Sequence, residues 1–286
     1  MDHAWDGQLK LFPFEHSFNG AKPEPLAYFF DSGIIVRGLL AVWRVTQERR
    51  FLDTAVRTGQ GMIGAFLGSE STHPILALPS GDPLAYQPRW SASPGCYQLK
   101  SAMAWFDLFE ETGDPEFETA YESSLTRALA DAGRFLPGDE NPERVMDRLH
   151  AYLYFLEGML PCAGRKECAE AVRSGIGEVG QLIVDIAPRF ARSDVYGQLL
   201  RMRIFAADLD IMAMPDEQAA NDAMQAANFQ FAGGGPRFEG GFGFGNKLGE
   251  MMPFVNPVST AFCAQALDMW HGYLENRSVP DRKALV

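Results

Sequence analysis

Residues 29–67 read FFDSGIIVRGLLAVWRVTQERRFLDTAVRTGQGMIGAFL, and the spacing of their apolar side chains predicts one helical hairpin. In the first half, apolar residues recur every three or four positions, which is the stripe of an amphipathic helix. Those residues are Ile35, Leu39, Val42 and Trp43. The polar residues 46–49 form the turn, and a second helix with a looser apolar period follows. Asp31 stands where a helix cap is expected.

The hairpin pattern recurs along the rest of the chain. The further copies are residues 97–129, residues 149–183 and, more weakly, residues 195–229. A final single helix begins near Val258. Recurrence of one supersecondary unit is the signature of an array of helical hairpins. We therefore expect an all-α fold, with residues 1–25 as an extended lead-in and residues 26–286 as a single domain.

Two long connections between hairpins differ from the repeats. Residues 68–95 are rich in proline and include Trp90, whereas residues 233–256 hold too many glycines to be helical. Each connection follows the second helix of a hairpin and leads into a first helix, so both should emerge on the same side of the array. Long connections in compact domains are more often functional than idle. We expect the two to frame one pocket, in which Trp90 stacks on a ligand ring.

The composition limits the classes of partner. The chain has 286 residues and a formal net charge of −12 at pH 7, which disfavours nucleic acid because its phosphates would be repelled. No apolar run is long enough for a membrane span, and the first residues do not resemble a secretory signal, so a cytoplasmic protein is expected. The four cysteines are scattered and predict buried thiols rather than a disulfide framework or a zinc site. We expect no metal and no cofactor.

Three groups of short motifs resemble one family of proteins. They are FDSG at 30–33 with RGLL at 37–40, LHAY at 149–152 with LEG at 156–158, and GGF at 240–242 leading into FVN at 254–256 and STAF at 259–262. Together they are similar to the six-hairpin toroid proteins, which include unsaturated-glucuronyl hydrolases, sugar 2-epimerases and proteins of bacterial polysaccharide clusters. The resemblance implies an (α/α) barrel whose first helices line the inside. Because this chain offers four hairpins and one helix, either the ring is incomplete, or the lead-in and a partner chain such as a second copy complete it, or the chain is shortened at its start.

The resemblance also implies a saccharide-processing enzyme with its site where the inner helices begin. Unpaired N–H groups at helix starts attract anionic groups such as sugar carboxylates. Recurrence at equivalent places favours a functional role for the polar residues there, although aspartate also suits a cap and histidine and tyrosine also suit a core. The residues expected to bind substrate are Arg37, Trp90, Tyr97, Arg148, Tyr196, Glu239 and Asn256.

Glycoside hydrolysis is the first reaction class that these residues could serve. It needs two carboxyl groups at one mouth, one as proton donor and one as base or nucleophile. Asp31 together with Glu157 or Glu239 could supply that pair. In that case Asp31 and Glu157 are the two catalytic carboxyl groups.

Elimination or epimerisation of a uronate is the second reaction class. Either reaction needs a base to remove a proton, and His150 and Tyr152 are the candidates. Arg148 and Asn256 would neutralise the carboxylate of the uronate. Sugar 2-epimerases use paired histidines, whereas this chain has one well-placed candidate, His150, so 2-epimerisation ranks last.

Two other classes of function stay open at this stage. A toroid with an open mouth can hold a glycan without catalysis, as a binding or assembly component of a polysaccharide pathway. A terpenoid-type toroid is disfavoured because the sequence has no aspartate-rich cyclase motif. Asp208-Leu209-Asp210 comes nearest to one, and it lies within helical pattern.

Overall fold

The computed structural model describes residues 5–15 and 25–285, and its fold is all-α. Nine α-helices hold more than half of these residues. The chain groups into two compact units, residues 1–133 (unit 1) and residues 134–286 (unit 2). Much of the expected lead-in, residues 1–4 and 16–24, lies outside the described residues. The single domain over residues 26–286 stays a prediction.

Unit 1 consists of two helical hairpins. The first is α1 (Phe29–Thr46) with α2 (Arg49–Phe66), and the second is α3 (Leu99–Thr112) with α4 (Pro115–Ala132). Each hairpin turns through a residue in the left-handed conformation, Gln47 with φ of 57° in the first and Gly113 with φ of 73° in the second. A left-handed residue after the last turn is a common way to end a helix. The tight turn predicted from the polar residues 46–49 is therefore confirmed.

The first helices of the two hairpins, α1 and α3, lie side by side and run in the same direction. Near their starts, Ser101 Oγ donates a hydrogen bond of 2.7 Å to the backbone oxygen of Phe30. Further along, Arg37 Nε lies 3.0 Å from Asp107 Oδ2. At their ends, Arg44 Nε lies 2.7 Å from Glu111 Oε1. Because partner numbers rise together on both helices, the helices are parallel, as the first helices of a toroid must be.

Gly33 allows the close approach of α1 to α3. A Cβ atom at Gly33 would lie 2.5 Å from the backbone oxygen of Ser101, whereas one at Gly38, on the same helix, would meet nothing within 4 Å. We expect Gly33→Ala to lower the free energy of unfolding by about 1–3 kcal/mol, because the helices must separate. The control Gly38→Ala should raise it by about 0.5–1 kcal/mol. Urea unfolding measures both, and a Gly33→Ala protein as stable as Gly38→Ala would contradict the close approach.

A short antiparallel sheet ties the proline-rich connection to the start of α1. Strand β1 (Leu26–Tyr28) runs directly into α1 and pairs with β2 (Ile75–Ala77). Two 3₁₀ turns, Trp90–Ala92 and Cys96–Gln98, then lead into α3. Residues 89–91 of this connection lie close to the first turn of α1.

Unit 2 contains two more hairpins and a single helix. The hairpins are α5 (Pro142–Gly158) with α6 (Lys166–Ile186), and α7 (Ser193–Asp208) with α8 (Asp216–Ala227); the last helix is α9 (Pro257–Leu274). The prediction that the third inner helix begins near His150 is wrong. Asn141 caps α5 by accepting a hydrogen bond from the backbone N–H of Glu143, and Pro142 suits the first helical position, so the helix begins two turns earlier.

The first helices of unit 2 are also parallel neighbours. Between α5 and α7, His150 contacts Gln198 and Glu157 contacts Arg201. Between α7 and α9, Ser259 contacts Asp194 and Gln265 contacts Arg201. The predicted starts near Asp31, Tyr97, Tyr196 and Val258 all fall within a turn of the observed starts. Apolar side chains fill the space between α5 and α6, among them Leu149, Leu153, Leu156, Val172, Ile176 and Val179.

The glycine-rich connection is not helical, as predicted. It forms β4 (Gly245–Lys247) and β5 (Glu250–Met251), which extend a small antiparallel sheet from β3 (Phe190–Arg192). A Cβ atom at Gly245 would lie 2.7 Å from the backbone oxygen of Ala191, so glycine is needed for this pairing. That this connection and residues 68–95 frame one pocket stays a prediction. Within residues 5–15 and 25–285, no helix has the length and apolar character to cross a membrane.

Candidate functional site

A pocket of about 170 Å³ opens in unit 1 where β1 passes into α1. Asp31, Trp90 and Tyr97, which come from three separate segments and were each predicted as site residues, line it together. Tyr28, Phe30 and Arg89 are among the other residues that line it. We call this group of six residues the aromatic pocket.

The walls of the aromatic pocket are rings held in fixed positions. The rings of Trp90 and Tyr97 meet edge to face, with centroids 4.9 Å apart and planes at 81°. Tyr97 is buried, and its hydroxyl donates a hydrogen bond of 3.0 Å to the backbone oxygen of Ser93. Burial raises the pKa of Tyr97, so the residue is a neutral phenol and not a base at neutral pH. Arg89 is exposed at the rim.

Asp31 is the acid of the aromatic pocket. It is the third residue of α1, and the capping position belongs to Tyr28, so the interpretation of Asp31 as the helix cap is wrong. Among residues 5–15 and 25–285, no basic side chain forms an ion pair with it. Burial raises the pKa of Asp31, and a hydrogen bond from its own backbone opposes that shift only in part. Asp31 is therefore protonated more readily than an ordinary aspartate, which suits a group that donates and accepts a proton.

A second polar group, the His150 cluster, lies between α5, α7 and α9 of unit 2. Its members are His150, Arg192, Asp194, Gln198 and Ser259. His150 Nδ1 lies 2.7 Å from Gln198 Oε1 and 3.9 Å from Asp194 Oδ2. Arg192 holds Asp194 through two hydrogen bonds of 2.9 and 2.6 Å, and Ser259 Oγ donates a third of 3.3 Å. Although burial acts to raise it, the pKa of Asp194 is held below its usual range by the charges and hydrogen bonds around it.

His150 is a neutral imidazole with one nitrogen available as an acceptor. Burial, reinforced by the positive charge of Arg192, lowers the pKa of His150 to about 4. His150 Nδ1 is hydrogen-bonded to the side-chain amide of Gln198, and a neutral imidazole carries a proton on one ring nitrogen and a lone pair on the other. A histidine in this state is chemically a base. Its side chain is 9% exposed.

The structure divides the residues predicted around His150 between two faces of α5. His150 and Tyr154 share one face, with ring centroids 4.5 Å apart. Tyr152 lies on the other face, because two positions along a helix turn the side chain by more than half a circle. There it stacks on Phe135, whose ring also lies 4.2 Å from the guanidinium carbon of Arg148. Tyr152 and Arg148 are thus brought together with Phe135 and not with His150.

Glu157 and Arg37 are each held in a buried ion pair. Glu157 Oε1 lies 2.5 Å from Arg201 Nη2, and both side chains have no exposed surface. Arg37 pairs with Asp107, whose side chain is likewise fully buried. Such contacts leave neither side chain open to a ligand.

The remaining predicted residues lie elsewhere in unit 2. Glu239 is exposed in the glycine-rich connection. Asn256 caps α9, because its side-chain oxygen accepts a hydrogen bond of 3.0 Å from the backbone N–H of Ser259. Tyr196 lies on α7, where it faces a groove between α6 and α8.

Several residues of the two sites were not predicted. On α7, Asp194, Gln198 and Arg201 follow each other at spacings of four and three residues, so they form one polar stripe on a fully buried helix. That stripe is visible in the sequence and could have identified the cluster. Tyr28 and Arg89 could not be found in this way, because Tyr28 lies in a three-residue strand and Arg89 in a long irregular connection, and neither leaves a periodic signal. Phe30 is the neighbour of the predicted Asp31 on α1.

The part of the chain that the structure describes has no set of side chains arranged to bind a metal ion. Within it, no group of three or more histidine, cysteine or acidic side chains could hold a metal ion. The four cysteines are free thiols, and each is buried. Burial raises the pKa of Cys263 to about 12, so this thiol stays protonated.

Comparison with known proteins finds relatives in structure alone. No protein-family model and no curated protein matches the chain. Cellobiose 2-epimerase from Spirochaeta thermophila is 12% identical, with a TM-score of 0.70 over 95% of this chain and 78% of that chain. A sugar epimerase from a ruminal bacterium is 10% identical, with a TM-score of 0.69 over 93% and 77%. A polysaccharide lyase is 10% identical, with a TM-score of 0.57 over 91% and 38%.

Identities this low establish the fold and nothing more. The chain has the fold of these sugar epimerases and this lyase, which confirms the predicted all-α toroid of helical hairpins and the resemblance to the six-hairpin proteins.

Proposed function

We propose that this protein is a saccharide-processing enzyme that holds a sugar ring in the aromatic pocket and transfers a proton through Asp31. The convergence of Asp31, Trp90 and Tyr97 on one pocket of about 170 Å³ carries the proposal. The fold supports it, since the similar solved structures include sugar epimerases and a polysaccharide lyase.

The chemistry of the pocket suits a sugar. The apolar face of a pyranose packs against aromatic rings, and the Trp90 and Tyr97 rings provide such a surface. A carboxyl group beside those rings can bond the sugar hydroxyls. At the rim, the guanidinium of Arg89 is placed to receive the carboxylate of a uronate, because its fork of N–H groups matches a carboxylate.

The number of carboxyl groups favours one reaction class over the other. Hydrolysis of a glycosidic bond needs two. Asp31 is the single acidic side chain among the described residues that line the pocket, and Glu157 is closed off by Arg201. Elimination and epimerisation beside a carbonyl both begin with removal of one proton from carbon, for which a single base is enough. In elimination the C–O bond then breaks and the leaving oxygen takes up a proton, whereas in epimerisation water returns a proton to the opposite face of the carbon. We therefore favour a lyase or an epimerase over a hydrolase.

A second candidate for the proton-transferring group is His150. Its pKa of about 4 keeps it neutral at pH 7, so one of its ring nitrogens holds a lone pair, which is the state that a base requires. Tyr154 lies against the imidazole ring. The comparison of His150→Gln with Asp31→Asn separates the two candidates.

The test is a panel of saccharides assayed by product analysis in D₂O. The panel contains unsaturated uronides, saturated uronate oligosaccharides and neutral disaccharides. Epimerisation incorporates deuterium at the carbon that is inverted, elimination leaves an unsaturated sugar, and hydrolysis does neither. We expect turnover of at least one uronate or neutral sugar by epimerisation or elimination. Binding of a glycan without any turnover would show instead that the protein binds glycans without catalysis. A protein that neither binds nor converts any sugar of the panel would refute the proposal.

Trp90→Ala should weaken binding of the responsive sugar about tenfold, which corresponds to about 1.4 kcal/mol of lost stacking. Trp90→Phe keeps a ring and should retain most of the affinity. The control is Trp43→Ala, which removes a half-buried tryptophan from α1 of the same unit without touching the pocket. Isothermal titration calorimetry measures the three affinities. Equal affinities for Trp90→Ala and Trp43→Ala would contradict the stacking role.

Three expectations from the sequence belong to the same proposal. The cytoplasm is the proposed location, and the charge of −12 disfavours nucleic acid as a ligand. A second copy of the chain or another partner chain is the proposed means of completing the ring.

A further inference from the structure

A groove of about 670 Å³ lies in unit 2 between the outer helices α6 and α8. We call it the α6–α8 groove. Glycines on α6 keep it open, because a Cβ atom at Gly177 would meet nothing within 4 Å and one at Gly180 would meet Arg203 Nη2 at 3.0 Å. All of the residues that line it belong to the same unit. The function proposed above makes no use of this groove.

The floor of the α6–α8 groove is a buried ion pair whose charges cancel. Arg203 Nε lies 2.8 Å from Asp222 Oδ2, and Arg203 Nη1 donates a hydrogen bond of 2.9 Å to Gln218 Oε1. Burial raises the pKa of Asp222 to about 6, and Arg203 opposes that shift. The carboxylate is therefore still ionised at pH 7, and the floor offers polar atoms without a net charge.

Tyr196 brings a hydroxyl group to this floor. Its side chain is 5% exposed and lines the groove. Burial, with a smaller effect from the charge of Asp222, raises its pKa to about 12, so the hydroxyl is neutral. No hydrogen bond joins this hydroxyl to another residue in the described ranges 5–15 and 25–285. The Tyr196 hydroxyl is therefore available to a ligand in the groove.

The rim of the groove is rich in amides. Gln181, Gln218 and Asn221 are exposed there, and Gln225 is half-buried. The rim also holds one exposed carboxylate, Glu217, which disfavours an anionic ligand. An amide both donates and accepts hydrogen bonds, which matches a hydroxyl group that also does both. Protein-binding sites use large aromatic or aliphatic anchors, whereas the exposed large apolar side chain on this rim is Val184 alone among the described residues.

We infer that the α6–α8 groove is a second saccharide-binding site, which holds a neutral stretch of a glycan chain through the Tyr196 hydroxyl and the rim amides. The class of ligand, a saccharide, rests on the proposed function. The groove would be a separate site that binds a long glycan outside the aromatic pocket. We therefore expect a polysaccharide to be bound more tightly than the short sugar that fills the pocket.

The inference is tested by affinity electrophoresis in gels that contain a soluble β-glucan, a mannan or a polyuronate. Tyr196→Phe removes one oxygen atom and keeps the ring, and Asn221→Ala removes one rim amide. We expect each variant to raise the apparent Kd for a retaining neutral polysaccharide about threefold to tenfold. Asn228→Ala is the control, because Asn228 is an exposed amide at the end of α8 that does not line the groove.

Retention equal to wild type for both groove variants would overturn the inference, and so would a wild-type protein that none of the gels retains. A change of oligomeric state in Asn221→Ala without a change in retention would assign the groove to a protein partner and also overturn it. The saccharide panel and Trp90→Ala report on the aromatic pocket alone, so the proposed function can stand when the groove inference fails.

Discussion

Asparagine in place of Asp31 is expected to lower turnover of the responsive sugar by about 10²–10⁴-fold, because an amide of the same shape cannot transfer a proton. The thermal midpoint at pH 7 should stay the same or rise. The pKa of Asp31 is raised in the folded state, so its contribution to stability is present when the group is protonated and is lost as the pH rises through that pKa. Asparagine removes this ionisation. Initial rates and thermal unfolding measure the two effects.

The control for this substitution is Asp53→Asn. Asp53 is a half-exposed aspartate on α2 of the same unit, in an ion pair with Arg49, and its substitution should leave turnover unchanged. Full turnover in Asp31→Asn together with a loss in His150→Gln would move the proton transfer to His150. Full turnover in both variants would leave no proton-transferring group in either candidate site.

Glu157→Ala is expected to destabilise the protein by about 3–5 kcal/mol, because it leaves the guanidinium of Arg201 buried without its carboxylate. Arg201 has no exposed surface, so water cannot take the place of Glu157. The remaining contacts of Arg201, a hydrogen bond to Gln265 and the ring of Phe262, carry no negative charge. Urea unfolding measures the loss.

Two comparisons separate a structural role of Glu157 from a catalytic one. The double variant Glu157→Met with Arg201→Met removes both charges and should restore most of the stability, since an apolar pair of similar size can replace a buried ion pair. Asp53→Ala breaks an exposed pair and should cost less than about 1 kcal/mol. A Glu157→Ala protein of normal stability that has lost turnover would instead support the catalytic role predicted from the sequence.

The fold could be predicted where the signal is local. The hairpin of α1 and α2 follows from apolar spacing and a polar turn within 39 residues of continuous sequence. The start of α5 was missed although its signal is also local. Asn141-Pro142-Glu143 holds a cap, a proline suited to the first helical position and an acid in the first turn, and these polar signals stand ahead of the apolar stripe.

The candidate sites were less predictable because they depend on direction and on long-range pairing. Tyr152 and Tyr154 have similar neighbours in the sequence. Tyr154 contacts His150 because it lies four positions along the same helix, on the same face. Trp90 was predicted from its place in a long connection. Its neighbour Tyr28 lies in β1, which pairs with β2, and strands of three residues leave no periodic signal in the sequence.

The parallel arrangement of consecutive first helices has a consequence for how the chain folds as it is synthesised. In unit 1 the Arg37–Asp107 pair joins helices whose residues are 70 positions apart, and the hairpins on either side of it close over turns of two residues. The contacts within each hairpin join residues that are close in the sequence, and they form quickly because little loop-closure entropy is lost. Once residue 133 has left the ribosome, all four helices of unit 1 are present in the emerged chain. Unit 1 can therefore bury its core before the helices of unit 2 exist.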